Sequence, residues 1–201
     1  VKNMIYDGVL SQLLEIDPFD PGSEIIQLPA NIFVPSSADA NATFPAIVYI
    51  SSWALYEHEY LDQAQLLADK GYVVLSYTAR GFHASPGLIN TAGEADVNDA
   101  RSAIDYLLDA NNHLPVDPDR IAMGGVSYGA GISLLAALQD ERIKAVTVCF
   151  TDLEGRMHML DYDKKFLLSS ADNLTFDGSS IRGFSAQQES DLRLAIDSAV
   201  A

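Results

Sequence analysis

From Phe44 to Phe150 the sequence alternates short apolar runs with segments whose apolar residues recur at helical spacing, and that order admits few folds. Residues 46–50, 72–77, 120–124 and 144–150 are apolar and rich in β-branched residues, as buried strands are. Between the first two, Tyr60, Leu61, Ala64, Leu67 and Ala68 share one helical face, and Gly71 is placed to end the helix. Between the next two, Thr91-Ala92-Gly93-Glu94 has the form of a capping box. Behind it Val97, Ala100, Ile104, Leu107 and Leu108 keep a helical period. Residues 128–138 form a nearly all-apolar helix. Strand, helix and strand in strict succession imply right-handed crossovers and a mostly parallel sheet with helices on both faces. Before residue 44 the signal is weaker; residues 24–34 are expected to form an antiparallel edge strand.

After Phe150 the pattern changes. Leu153, Met157 and Leu160 suggest a short helix, and no strand is expected beyond residue 150. Residues 166–183 show no period. Ser185-Ala186-Gln187-Gln188 has the form of a second capping box. It opens an amphipathic helix carrying Leu192, Ala195, Ile196 and Ala199. The chain is therefore expected to divide into an α/β core over residues 1–152 and a helical cap or lid over residues 153–201.

The bulk properties narrow the partners. The 201 residues suit one domain, and a net charge of −16 repels phosphate backbones, so nucleic acid is not an expected partner. No apolar run reaches the ~18 residues of a membrane span. The single cysteine, Cys149, excludes an internal disulfide and lies in an apolar run, as an inert buried thiol would. The compartment stays open: a soluble protein, cytoplasmic or secreted. Val1 in place of Met implies a trimmed start. The sequons at Asn41 and Asn173 are expected to be chance matches.

Gly125-Val126-Ser127-Tyr128-Gly129 carries the chemistry. G-x-S-x-G is weak as a bare pattern, but here it follows an apolar strand and opens an apolar helix, the setting of a nucleophile elbow. A tight strand-to-helix turn needs small neighbours, and Gly124, Gly125, Gly129, Ala130 and Gly131 supply them. Such a turn is expected to strain the backbone and to expose the Ser127 hydroxyl at the carboxyl edge of the sheet. There the helix N-terminus and the Tyr128 amide can stabilise an oxyanion. The plainer alternative is a glycine-rich turn with an idle serine.

Three stretches together resemble a known group. They are Tyr77-Thr78-Ala79-Arg80-Gly81-Phe82-His83-Ala84-Ser85, then Asp99-Ala100-Arg101-Ser102-Ala103-Ile104-Asp105-Tyr106-Leu107, then residues 117–129, where Asp119-Arg120-Ile121 precedes Gly125-Val126-Ser127-Tyr128-Gly129. They look like the X-prolyl dipeptidyl-peptidase and cocaine-esterase group of α/β-hydrolases, over roughly residues 44–155. The resemblance implies an α/β-hydrolase fold with a helical cap. It also implies a Ser–Asp–His triad and acyl-enzyme chemistry on esters or amides, X-Pro peptide bonds among them. A second oxyanion donor is expected from the loop Ser51-Ser52-Trp53-Ala54-Leu55-Tyr56, either the Trp53 amide or, as the resemblance implies, the Tyr56 hydroxyl.

The partners of Ser127 are harder to find. In this fold the acid and base follow the serine in the chain, which sets aside His58, His83 and His113. Asp152 and His158 have the right order, Ser127–Asp152–His158, and are candidate acid and base if the chain is complete. Six residues apart, they also fit a strand end followed by a helix surface, with the true pair beyond Ala201. Arg80-Gly81 is expected to be a structural loop held by the arginine.

No metal or organic cofactor is expected: there is no His/Cys cluster at ligand spacing and no P-loop. The glycines near Ser127 lack the acidic residue of a dinucleotide site at the end of the next strand. The leading reading is a serine hydrolase with a small ester, amide or peptide substrate. A non-catalytic hydrolase-fold binding module is the alternative, and a dienelactone-type enzyme ranks lower because it would need a cysteine at the elbow. The chain is expected to be a fragment, inactive alone, whose exposed sheet edge after residue 150 pairs with a complementing fragment or a homo-oligomeric partner.

Overall fold

The computed structural model describes residues 4–13, 25–37, 39, 41–151, 154, 156–170, 174–177 and 191–194. Seven strands form one sheet in the order β1-β2-β4-β3-β5-β6-β7. These are β1 (Met4–Leu13), β2 (Ile25–Val34), β3 (Phe44–Ile50), β4 (Val73–Tyr77), β5 (Val116–Gly125), β6 (Ile143–Thr151) and β7 (Met157–Asp163). The central four are parallel, because three helical crossovers join them in turn: α1 (Leu61–Asp69), α2 (Glu94–Leu108) and α3 (Tyr128–Gln139). β1, β2 and β7 are antiparallel to their neighbours.

The order reverses at β3. The chain leaves β3 for β4 on one side, then returns past β3 to β5 on the other. The reversal puts α1 on the opposite face from α2 and α3. α1 covers a layer of Phe33, Ile47, Tyr49, Tyr60 and Val74. α2 and α3 cover the larger layer, in which Val48, Ile50, Leu75, Ile104, Met123, Ile132 and Val146 are buried together. Burial of this kind stabilises by ~25 cal/mol per Å² of apolar surface. The same reversal opens a crevice at the carboxyl ends of β3 and β5, where α/β sheets place their ligands.

Four expectations are corrected. Of the expected strand over 24–34, residues 25–34 do form an antiparallel strand, β2, but it is not the edge, because β1 pairs with it along ten residues. Thr91 does not cap α2. The N-cap is Gly93, with no side-chain cap, and Asn90 Oδ1 instead accepts from the Ala95 amide (3.2 Å). The segment from Met157 is not a helix but strand β7, paired in register with β6, so the edge expected after residue 150 is covered within this chain. Its short run fits either period; Tyr162 packs into the α3-side layer and Met159 into the α1-side layer, which a strand achieves by alternation. The C-terminal amphipathic helix is the fourth. Residues 191–194 form β9 (Asp191–Leu194), paired with β8 (Leu174–Asp177), and α4 (Lys164–Ser169) is the one helix among the described residues after 152. The capping box at 185–188 and residues 195–201 lie outside the described residues. Among the described residues no helix is long and apolar enough to cross a membrane.

Candidate active site around Ser127

β5 ends at Gly125 and α3 begins at Tyr128, so two residues turn the chain. Ser127 takes the strain, with φ 54° and ψ −117°, a region non-glycine residues seldom occupy. Its side chain is exposed at the carboxyl edge of the parallel strands, as the glycine pattern predicts.

The glycines permit a close approach. A Cβ on Gly129 would lie 2.1 Å from the Ile50 carbonyl oxygen, and one on Gly125 would lie 2.7 Å from the Gly129 carbonyl carbon. α3 can therefore seat its first turn directly on the end of β3, holding Ser127 beside the loop that follows Ile50.

That loop grips the elbow. The hydroxyl of Tyr60, fully buried and stacked on Tyr49 at 4.6 Å, accepts from the Val126 amide (2.9 Å). The Ser52 hydroxyl reaches the Val126 carbonyl oxygen (3.0 Å) and Glu59 Oε1 (2.6 Å), while Glu59 Oε2 accepts from the Ser52 amide (2.7 Å). Ser51 accepts from the Ala79 amide through its hydroxyl (3.1 Å), tying the loop to the end of β4. Sequence reasoning missed Ser52, Glu59 and Tyr60. No local pattern marks them, since Ser52 and Tyr60 meet Val126 from 74 and 66 positions away and Glu59 acts through Ser52.

The two parts of Tyr128 serve different ends. Its amide opens α3, where the first helical N–H groups have no partner within the helix and face the side on which an oxyanion would form. Its ring is buried. The hydroxyl donates to Asp96 Oδ2 (2.8 Å) and accepts from the Ala92 amide (3.1 Å). Burial, reinforced by the nearby Asp96 carboxylate, raises the Tyr128 hydroxyl far above its ordinary value, so it stays protonated. Burial likewise raises Asp96, against the opposing hydrogen bond from Tyr128 and the charge of Arg80. Arg80 forms a bidentate pair with Asp99 (2.7 and 2.6 Å), both side chains about 1% exposed. Arg80 is thus a structural strut behind the elbow, as expected.

Of the two second-donor candidates, Trp53 stands closer to the elbow. Its ring is half exposed and meets Phe82 (4.9 Å between centroids) and Tyr128 (5.3 Å) edge to face. Tyr56 packs against His58 and His83, at 5.2 Å from each. It lines a cavity of about 250 Å³ with Pro29, Glu57, Thr78 and Ala84, and Ser127 is not among the lining residues.

Asp152 lies outside the described residues. His158 is on β7 opposite Phe150, near the same carboxyl edge as Ser127 but two strands over from β5. Alternation puts it on the α3 side with Tyr162. Among the described residues none hydrogen-bonds to the Ser127 hydroxyl. His113 ends a 3-10 turn with φ 53° before β5, at the opposite end of that strand from Ser127, and His83 contacts the Ala54 carbonyl oxygen (2.7 Å). Cys149 falls on β6. Among the described residues no three His, Cys, Asp or Glu side chains group as metal ligands would.

Residues 22–199 match the sequence profile of the X-Pro dipeptidyl-peptidase (S15 family). The chain is 30% identical over 118 residues to the "Uncharacterized peptidase YuxL" of Bacillus subtilis (strain 168), covering 55% of this chain and 18% of that protein. It is 33% identical over 124 residues to the "Uncharacterized protein YcjY" of Escherichia coli (strain K12), covering 60% and 40%. The chain thus spans less than half the length of either relative. Among solved structures, the α/β hydrolase GrgF from Penicillium sp. sh18 superimposes with a TM-score of 0.55 at 20% identity, over 73% of this chain and 45% of that one. The Pyrococcus horikoshii acylaminoacyl peptidase gives 0.53 at 20% identity, over 70% and 22%. At such identities these likenesses show the fold: the chain carries an α/β-hydrolase sheet.

Proposed function

The chain belongs to the X-Pro dipeptidyl-peptidase (S15) family, and from that premise we propose that the protein is a serine hydrolase cleaving an ester or amide bond, X-Pro peptide bonds included, through an acyl-enzyme on Ser127. The observation that carries the reading is the strained, exposed Ser127 between two glycines, Gly125 and Gly129, where an added Cβ would press on backbone at 2.7 and 2.1 Å. An ordinary turn residue such as His113 pairs φ 53° with ψ 31°, whereas Ser127 pairs φ 54° with ψ −117°, the strain expected of a nucleophile that must stand clear of the sheet.

In the reaction Ser127 Oγ attacks the substrate carbonyl carbon as its proton passes to a general base. The carbonyl oxygen becomes an oxyanion between the amides of Tyr128 and Trp53. Collapse breaks the bond to the leaving alcohol or amine, which takes the proton. Water then cleaves the acyl ester by the same steps and restores Ser127. The donors are backbone groups already fixed by the elbow and its loop, so little reorganisation accompanies charge development.

Asp152 and His158 have the order required of acid and base. The place of His158 on a paired strand, on the α3 side, favours another group as the base. His158→Ala in the full protein decides between them: lost turnover assigns the base to His158, and retained turnover assigns it elsewhere. The test of the function is turnover of activated esters and X-Pro anilides by the full protein and by Ser127→Ala. A fall of about 10⁶ in kcat is expected for the variant. No turnover by the full protein would leave the fold as a non-catalytic binding module, and wild-type turnover in Ser127→Ala would move the nucleophile.

A further inference from the structure

The geometry points to Glu59 as a positioning residue that, through Ser52, locks the two halves of the oxyanion site together; this rests on the reading of Ser127 as nucleophile. The two proposed donors come from separate segments. Tyr128 opens α3, and Trp53 sits in the loop after β3. Nothing covalent holds them in register. Ser52, next to Trp53, hydrogen-bonds to both sides. Its hydroxyl reaches the carbonyl of Val126, next to Ser127, and its amide is held by Glu59. Tyr60, next to Glu59, holds the amide of Val126. Val126 is therefore gripped at both its N–H and its C=O by one stretch of loop and turn, Ser52 to Tyr60.

The proton count makes this testable. The Ser52 hydroxyl has one proton and two acceptors within reach, Glu59 Oε1 at 2.6 Å and the Val126 carbonyl at 3.0 Å. With ionised Glu59 the two compete. A glutamine at 59 resolves the competition. Its Oε1 accepts from the Ser52 amide, its Nε2 donates to Ser52 Oγ, and the hydroxyl proton is free for Val126. An alanine at 59 leaves the buried Ser52 amide without its acceptor and frees the loop to shift relative to Ser127. A misplacement of ~1 Å costs up to ~10² in rate.

Because the clamp acts on groups that tighten only around the oxyanion, its loss should lower kcat and spare KM. In the full protein, Glu59→Ala is expected to reduce kcat by ~10- to 100-fold at unchanged KM. Ser52→Ala should do the same, and the double variant should lose no more than either single one, since both break one linkage. Glu59→Gln should stay within about twofold of wild type, which separates hydrogen bonding from charge. Should Glu59→Ala fail to fold, Ser52→Ala, which removes one oxygen, carries the test. The inference is overturned if Glu59→Ala or Ser52→Ala turns over like wild type while Ser127→Ala is dead. It is equally overturned if the losses add, or if Glu59→Gln is as impaired as Glu59→Ala. Activity in Ser127→Ala would instead overturn the nucleophile reading beneath it.

Discussion

Gly129→Ala isolates the contact on which the elbow depends. The new Cβ would meet the Ile50 carbonyl oxygen at 2.1 Å and its carbonyl carbon at 2.8 Å, where ordinary contact begins near 3.4 Å. About 1.3 Å must be opened. Both atoms are backbone at the end of a central buried strand, so they cannot swing aside as a side chain would. α3 must move off the sheet instead, and Ser127 moves with it. Overpacking of this kind costs ~1–3 kcal/mol. A displacement of this size at the reacting atom costs ~10² in kcat. The control lies two residues on. A Cβ on Gly131 meets nothing within 4 Å, and the site is helical. Gly131→Ala should stabilise by ~0.5–1 kcal/mol. Urea unfolding of the full protein measures both effects, and ester turnover measures the first. Equal midpoints for the two variants, or a Gly129→Ala enzyme with wild-type kcat, would refute the close-packing account.

Arg80→Leu leaves the buried Asp99 carboxylate without its bidentate partner and should cost ~3–5 kcal/mol in urea unfolding, whereas breaking the solvent-exposed Arg120–Asp117 pair should cost far less. Burial pushes Asp140 upward, but the hydrogen bonds and charge of Arg142, with Arg101 nearby, outweigh it and hold the carboxyl below its ordinary 3.8. A depressed folded-state value means stability that is present above about pH 3.8 and lost as the pH falls through the folded value. Asp140→Asn should therefore be less stable at pH 7 and lose less on acidification, as read by melting temperature from pH 7 to pH 2. Tyr56→Phe should leave kcat within about twofold of wild type, because the Trp53 amide is the proposed donor; a loss of ~10² would assign that role to the Tyr56 hydroxyl.

The elbow was legible in the sequence because it is local: five consecutive residues state the turn, the small neighbours and the nucleophile. The parallel core was legible because buried strands read as continuous apolar runs. β7 was not, because Met157–Asp163 mixes one ionisable residue after another with apolar ones, and its Asp161 is satisfied only across the sheet, by the Thr147 hydroxyl at 2.7 Å. A lone reading of Leu153, Met157 and Leu160 fits a helix equally well. The cap of α2 was misplaced by the same limit, since Asn90 acts from outside the expected box. The clamp of Ser52, Glu59 and Tyr60 on Val126 was invisible for a different reason. Its members are unremarkable in sequence and acquire meaning only when β3 and β5 lie side by side.

The account stands on Ser127 as the nucleophile, and covalent labelling tests it most directly. A fluorophosphonate should modify the full protein once, and the adduct should map to the tryptic peptide spanning residues 121–142, on Ser127. Ser127→Ala, still folded by its melting curve, should take up none. An adduct on any other residue, or undiminished labelling of Ser127→Ala, would contradict it.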